Sequence, residues 1–118
     1  MLNAQNVTTE EELDTLLSRM GFFTKPVRFS LRQRLHLTPD ESHRPLCRYI
    51  EAERNGLEGP VVVAVRSSTL EVYFYEDVNY AFHIWERLGE STSDEQLRKA
   101  IFEASSTEAI NRRYPTLR

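Results

Sequence analysis

The side chains with the widest reach in nucleophilic, acid–base or metal chemistry are three histidines, His36, His43 and His83, and a single cysteine, Cys47. His43 and Cys47 are four residues apart, a spacing that on a helix sets an imidazole beside a thiol and lowers the thiol pKa. No third group orients the pair, and a lone cysteine near a histidine is more often accidental than reactive. His36, His43 and Cys47 match no metal-ligand spacing, and one cysteine allows neither a thiolate zinc site nor an internal disulfide. Glu76 and Asp77 are adjacent carboxylates and in principle an acid–base pair; helix capping accounts for Asp77 and solvation for Glu76 equally well. The glycines, Gly21, Gly56, Gly59 and Gly89, build no phosphate-cradling loop. No catalytic, cofactor or metal residue is assigned on this basis. The chain reads as a non-enzyme, with a small enzyme of unrecognised type as the lowest-ranked alternative.

Two further groups concern binding. Arg28, Arg32, Arg34 and His36 fall on one side of an alternating segment, opposite Val27, Phe29, Leu31, Leu35 and Leu37. A row of arginines on an open sheet face suits phosphates or an acidic protein surface. It also suits plain solvation, or cross-strand pairing with Glu71. Tyr73 and Tyr75 alternate with Leu70, Val72 and Phe74, so a half-buried strand turns both tyrosines outward. Tyrosine there is an interface anchor, with a large apolar area and a polar tip, unless a helix of the same chain covers it.

The elements that must position these residues follow from periodicity. Thr9-x-x-Glu12 is a capping box ahead of a Leu13, Leu16, Leu17, Met20 stripe, and Gly21 closes the helix, which predicts helix 9–20. The alternation from Val27 predicts strand 27–34, with a bend or an early end near Gln33. Residues 45–55 fit two patterns: a short helix begun at Ser42 and ended at Asn55-Gly56, or a strand alternating Leu46, Arg48, Ile50 and Ala52. The β-branched run Val61–Val65, the break at Ser67-Ser68 and the alternation after it predict an antiparallel hairpin over 60–76. Val78, Ala81, Phe82, Trp85 and Leu88 recur at helical spacing behind Asp77, which predicts helix 78–88, closed by Gly89. Ser93-x-x-Gln96 and the Leu97, Ala100, Ile101, Ala104 stripe predict helix 94–104, and Ser106-Thr107 opens a last helix through Arg113. The sum is one α+β domain: a small antiparallel sheet of three or four strands with helices packed on one face.

Composition narrows the class further. At 118 residues, with 40% hydrophobic and 28% charged side chains, the chain can build a core unaided. The net charge of −3 is unevenly spread: residues 1–24 carry −3, 25–48 carry +4, 49–97 carry −7 and 98–118 carry +3. Such division speaks of partners rather than of fold. A single cysteine, no leader-like N-terminus and no long apolar run predict a cytoplasmic protein. Together these features favour a protein-interaction module, an accessory, adaptor or inhibitor that engages another protein or a second copy of itself through Tyr73 and Tyr75. The alternative is nucleic-acid binding through Arg28, Arg32 and Arg34.

Overall fold

The computed structural model describes residues 2–27, 46–66, 69–78, 80–89 and 92–115. In chain order these form α1 (Glu10–Arg19), β1 (Thr24–Pro26), β2 (Leu46–Ile50), α2 (Ala52–Asn55), β3 (Val61–Arg66), β4 (Thr69–Glu76), β5 (Ala81–Leu88), α3 (Asp94–Ser105) and α4 (Thr107–Arg113). The fold is α+β, with a five-stranded sheet in the order β1-β2-β3-β4-β5 and every pair antiparallel. No helix among the described residues is long and apolar enough to cross a membrane.

Local chemistry sets the ends of the helices. Thr9 Oγ1 accepts from the Glu12 N–H at 3.0 Å, and the Glu12 carboxylate accepts from the Thr8 hydroxyl and N–H. Those hydrogen bonds, the Thr8 hydroxyl first, lower the Glu12 pKa. At the other end of α1, Gly21 takes φ +95°, the Gly21 N–H donates to Ser18 O, and the Phe22 N–H to Leu17 O. This is a Schellman motif, and it drives Phe22 back into the core. Gly56, at φ +66°, ends α2 the same way, its N–H donating to Glu53 O and that of Leu57 to Ala52 O. Ser93 and Gln96 form a complete reciprocal capping box at the start of α3.

One face of the sheet carries Ile50, Val61, Val63, Leu70, Val72, Phe74 and Trp85, and α1 and α3 pack on it through Leu13, Leu16, Leu17, Leu97, Ala100 and Ile101. Arg48 joins the layers: its Nε donates to Thr24 Oγ1 at 2.9 Å, and its guanidinium faces Asp14 at 3.5 Å and Glu10 at 3.9 Å on α1. The opposite face has its own cluster of Val27, Cys47, Val62, Ala64, Tyr73 and Phe82, flanked by Tyr49, Tyr75 and Ile84. β3, from Val61 to Ala64, is buried on both sides, as its unbroken apolar run requires.

The sheet has five strands where three or four are expected, and the largest correction lies at residues 78–88. Ala81–Leu88 is a strand, not a helix, and Asp77 begins a turn rather than capping one. The cause is a β-bulge. Val72 faces Glu86 and Tyr73 faces Ile84, so Trp85 is the extra residue. The insertion shifts the alternation by one. Trp85 and Leu88, three apart, therefore both join the helix-covered core and imitate helical spacing. Between Leu46 and Ile50 the strand reading holds, and the helix is confined to Ala52–Asn55. The strand expected at 27–34 falls outside the described residues beyond Val27, which is buried just after β1.

Phe74 is fully buried and sits at the centre of an aromatic group. Its ring lies 5.8 Å from Trp85 (edge-on), 5.5 Å from His83 and 5.4 Å from Tyr114 (stacked). Arg113 closes this group over the β5 edge, with its guanidinium 3.7 Å above the Trp85 ring and Nη1 donating to Trp85 O at 2.8 Å. Phe74→Ala removes the hub, and the expected cost is about 3–5 kcal/mol. Urea unfolding followed by the fluorescence of Trp85 measures it; a loss under about 1 kcal/mol contradicts this packing.

Candidate functional site

The register of the sheet decides which loops share an end. Thr24 faces Ile50, Ile50 faces Val61, Val61 faces Phe74, and Phe74 faces His83. Just beyond that row of residues, on the same side, lie Phe23, α2, the loop Glu58–Pro60, and the β4–β5 turn from Asp77 to Tyr80. Four large apolar side chains are exposed among the described residues: Phe23 at 57%, Val78 at 61%, Tyr80 at 64% and Phe102 at 43%. Three of them, Phe23, Val78 and Tyr80, belong to this end of the sheet. With strands about 4.8 Å apart, β1 and the β4–β5 turn are separated by roughly 15–20 Å.

Each part is held in place. The Asn55 side chain accepts from the Phe23 N–H at 2.7 Å and donates to Phe23 O at 2.9 Å, which locks α2 beside the entry to β1. The Arg54 guanidinium lies 4.6 Å over the Phe23 ring. Glu58 accepts from the Thr107 N–H at 3.3 Å and so brings α4 to the same end. Tyr80 takes φ +52°, a left-handed conformation that costs a residue with a Cβ about 1–2 kcal/mol. Behind the turn, Tyr75 faces Phe82 across the strands with ring centroids 5.1 Å apart, and Tyr49 meets Phe82 edge-on at 6.3 Å.

Part of the acidic character of residues 49–97 gathers here. Glu53, Glu58 and Asp77 are exposed and, among the described residues, form no ion pair. Glu51 pairs with Lys25, and Glu76 is buried. At the opposite end of β3 and β5, Arg66 and Arg87 converge on Glu71.

Of the residues singled out from the sequence, the structure separates Tyr73 from Tyr75. Tyr73 is buried, and its hydroxyl donates to Glu71 Oε1 at 2.9 Å. Glu71 is only 3% exposed and also accepts from Arg87 Nε at 3.1 Å, with Arg66 Nε at 3.3 Å. Tyr73 therefore belongs to a buried polar network, and an outward anchor there is ruled out. Tyr75 is half-buried beside the turn. Arg28, Arg32 and Arg34, with His36 and His43, lie outside the described residues. Cys47 is fully buried on the sheet face opposite to the one that packs His83 against Phe74. A cavity of about 200 Å³ between β5 and α3 is lined by Glu86, Leu88, Gln96, Lys99, Ala100 and Glu103 and contains neither residue. Among the described residues no cluster of three or more His, Cys, Asp or Glu is placed to hold a metal ion.

Sequence reasoning missed Val78 and Tyr80 as surface residues, because a helix over 78–88 turns Val78 inward. The available signal was the polar pair Asp77 and Asn79 between two runs rich in aromatic residues, which reads as a hairpin turn. Comparison with protein-family models, with curated proteins and with solved structures finds no match to this chain.

Burial, and then the hydrogen bond to the Glu71 carboxylate, push the Tyr73 pKa from 10.0 to about 12. The neutral phenol is thus favoured by folding. Its stabilisation is complete below pH 10 and is lost as pH rises from 10 towards 12. In an alkaline titration followed by tyrosinate absorbance, one tyrosine is expected to ionise late and together with unfolding, and Tyr73→Phe removes that step. Retention of the late step in the variant contradicts the assignment.

Proposed function

We propose that this chain is a non-enzymatic, cytoplasmic protein-interaction module that engages another protein, or a second copy of itself, through the end of the sheet bearing Phe23, Val78 and Tyr80. The observation that carries the reading is the exposure of Val78 and Tyr80 on a turn whose backbone holds a tyrosine in a left-handed conformation. Val78 and Tyr80 display two large side chains two positions apart on one turn, and burial against a partner removes that apolar area from water. Strained residues recur where a side chain must be aimed at a ligand, and aromatic groups with a polar tip dominate binding energy at interfaces. Tyr75 and Phe82 pair across the strands just before the turn and anchor its base. A buried lone cysteine is at home in a reducing compartment.

The test removes the apolar groups and keeps the turn. Asparagine tolerates the left-handed region better than other residues with a Cβ, so Val78→Ser with Tyr80→Asn preserves the backbone. With the full chain as bait and its solution mass measured in parallel, the double variant is expected to lose at least about 2 kcal/mol of association, roughly thirtyfold. Its unfolding midpoint is expected to be close to that of the parent. Association and solution mass both unchanged in a folded variant contradict the proposal.

A further inference from the structure

The charges around the exposed apolar groups define the kind of partner, an inference that rests on the reading above and deepens it. Glu53 adjoins Arg54, which stacks on Phe23, and Asp77 adjoins Val78. Glu58 lies between them along the sheet end, on the loop leading into β3. Each of the three carboxylates is exposed and forms no ion pair among the described residues. Of the cations on the elements at this end, Lys25 pairs with Glu51 and Arg112 with Glu108, while Arg54 keeps its charge over the Phe23 ring. Among the described residues this end thus presents exposed apolar side chains beside a net-negative rim, in which Glu51, Glu53, Glu58 and Asp77 outnumber Lys25 and Arg54. We infer that the partner is a protein surface or segment rich in lysine and arginine that also carries apolar side chains, and that a second acidic copy of this same end is excluded. Apolar contacts supply the affinity. The rim speeds encounter with positively charged surfaces and penalises acidic ones. Its effect is weakened by salt, because the carboxylates stand in solvent.

A fluorescein-labelled peptide of lysine and leucine is the probe, with its glutamate-and-leucine counterpart as control, and anisotropy is measured on the full-length chain at low and high salt. The lysine peptide is expected to bind, the glutamate peptide not, and binding is expected to fall with salt. Glu53→Gln with Asp77→Asn should weaken the lysine peptide severalfold, and Glu53→Lys with Asp77→Lys by more than about tenfold. Both positions are exposed, and circular dichroism checks that each variant folds. Val78→Ser with Tyr80→Asn should weaken the same complex with its salt dependence retained. Equal binding of the two peptides, no binding of the lysine peptide at low salt, or charge variants that bind as the parent does, would overturn the inference. If the charge variants are silent while the apolar double variant still abolishes association with a captured protein, the cationic partner falls and the interaction module stands. If the apolar variant is silent in both assays, the interaction module itself falls.

Discussion

β3 is paired on both edges and buried on both faces, and the rest of the structure follows from that constraint. From Val61 to Ala64 no side chain reaches water, so the peptide groups of this strand depend on β2 and β4 for their hydrogen bonds. A shift of one residue on either side would exchange the two faces. It would move Val62, Ala64 and Tyr73 under the helices and drive Val61, Val63 and Phe74 out of the main core. The register is thereby over-determined. Through it the loops at each end of the sheet are assigned to fixed neighbours, and the exposed Phe23, Val78 and Tyr80 come to share one end although the first and last lie 57 positions apart in sequence.

Much of this was legible in the chain because local and global preferences agree. The Thr9 N-cap, the capping box at Ser93 and the glycines at 21 and 56 do what their chemistry suggests, and each needs no information from elsewhere in the fold. The β3–β4 hairpin was legible for the same reason: its apolar run and its alternation are both in phase with the final burial. β5 was not, because its bulge breaks the alternation at Trp85 and substitutes a spacing that belongs to helices. Residues 46–50 were ambiguous because Arg48, which as a charged side chain argues for solvent, is drawn under α1 by Thr24, Asp14 and Glu10. Those partners come from a different element, and no local window contains them.

The proposed site was legible only in outline. Uneven charge along the sequence suggested a partner, and Tyr75 lies beside the turn that carries Val78 and Tyr80. Tyr73 misled because alternation reports which side of a strand a residue faces and says nothing of what lies above it. Here Glu71, two positions earlier, lies buried on that same face and binds the phenol. Glu53, Glu58 and Asp77 come to one end only when α2, the loop before β3 and the β4–β5 turn are gathered there. That gathering is a property of the antiparallel order, not of any segment.

The bulge at Trp85 has one more effect. An eight-residue strand at the margin of a sheet normally offers a ladder of open peptide groups on which further chains can grow, the first step of fibril formation. In β5 that ladder is kinked at Trp85, and the arginine following it in the fold occupies the Trp85 carbonyl. A kinked, partly capped margin is a poor template for cross-β addition. A chain that exposes large apolar side chains at one end of its sheet gains from this safeguard along its flank, which helps to keep it dispersed.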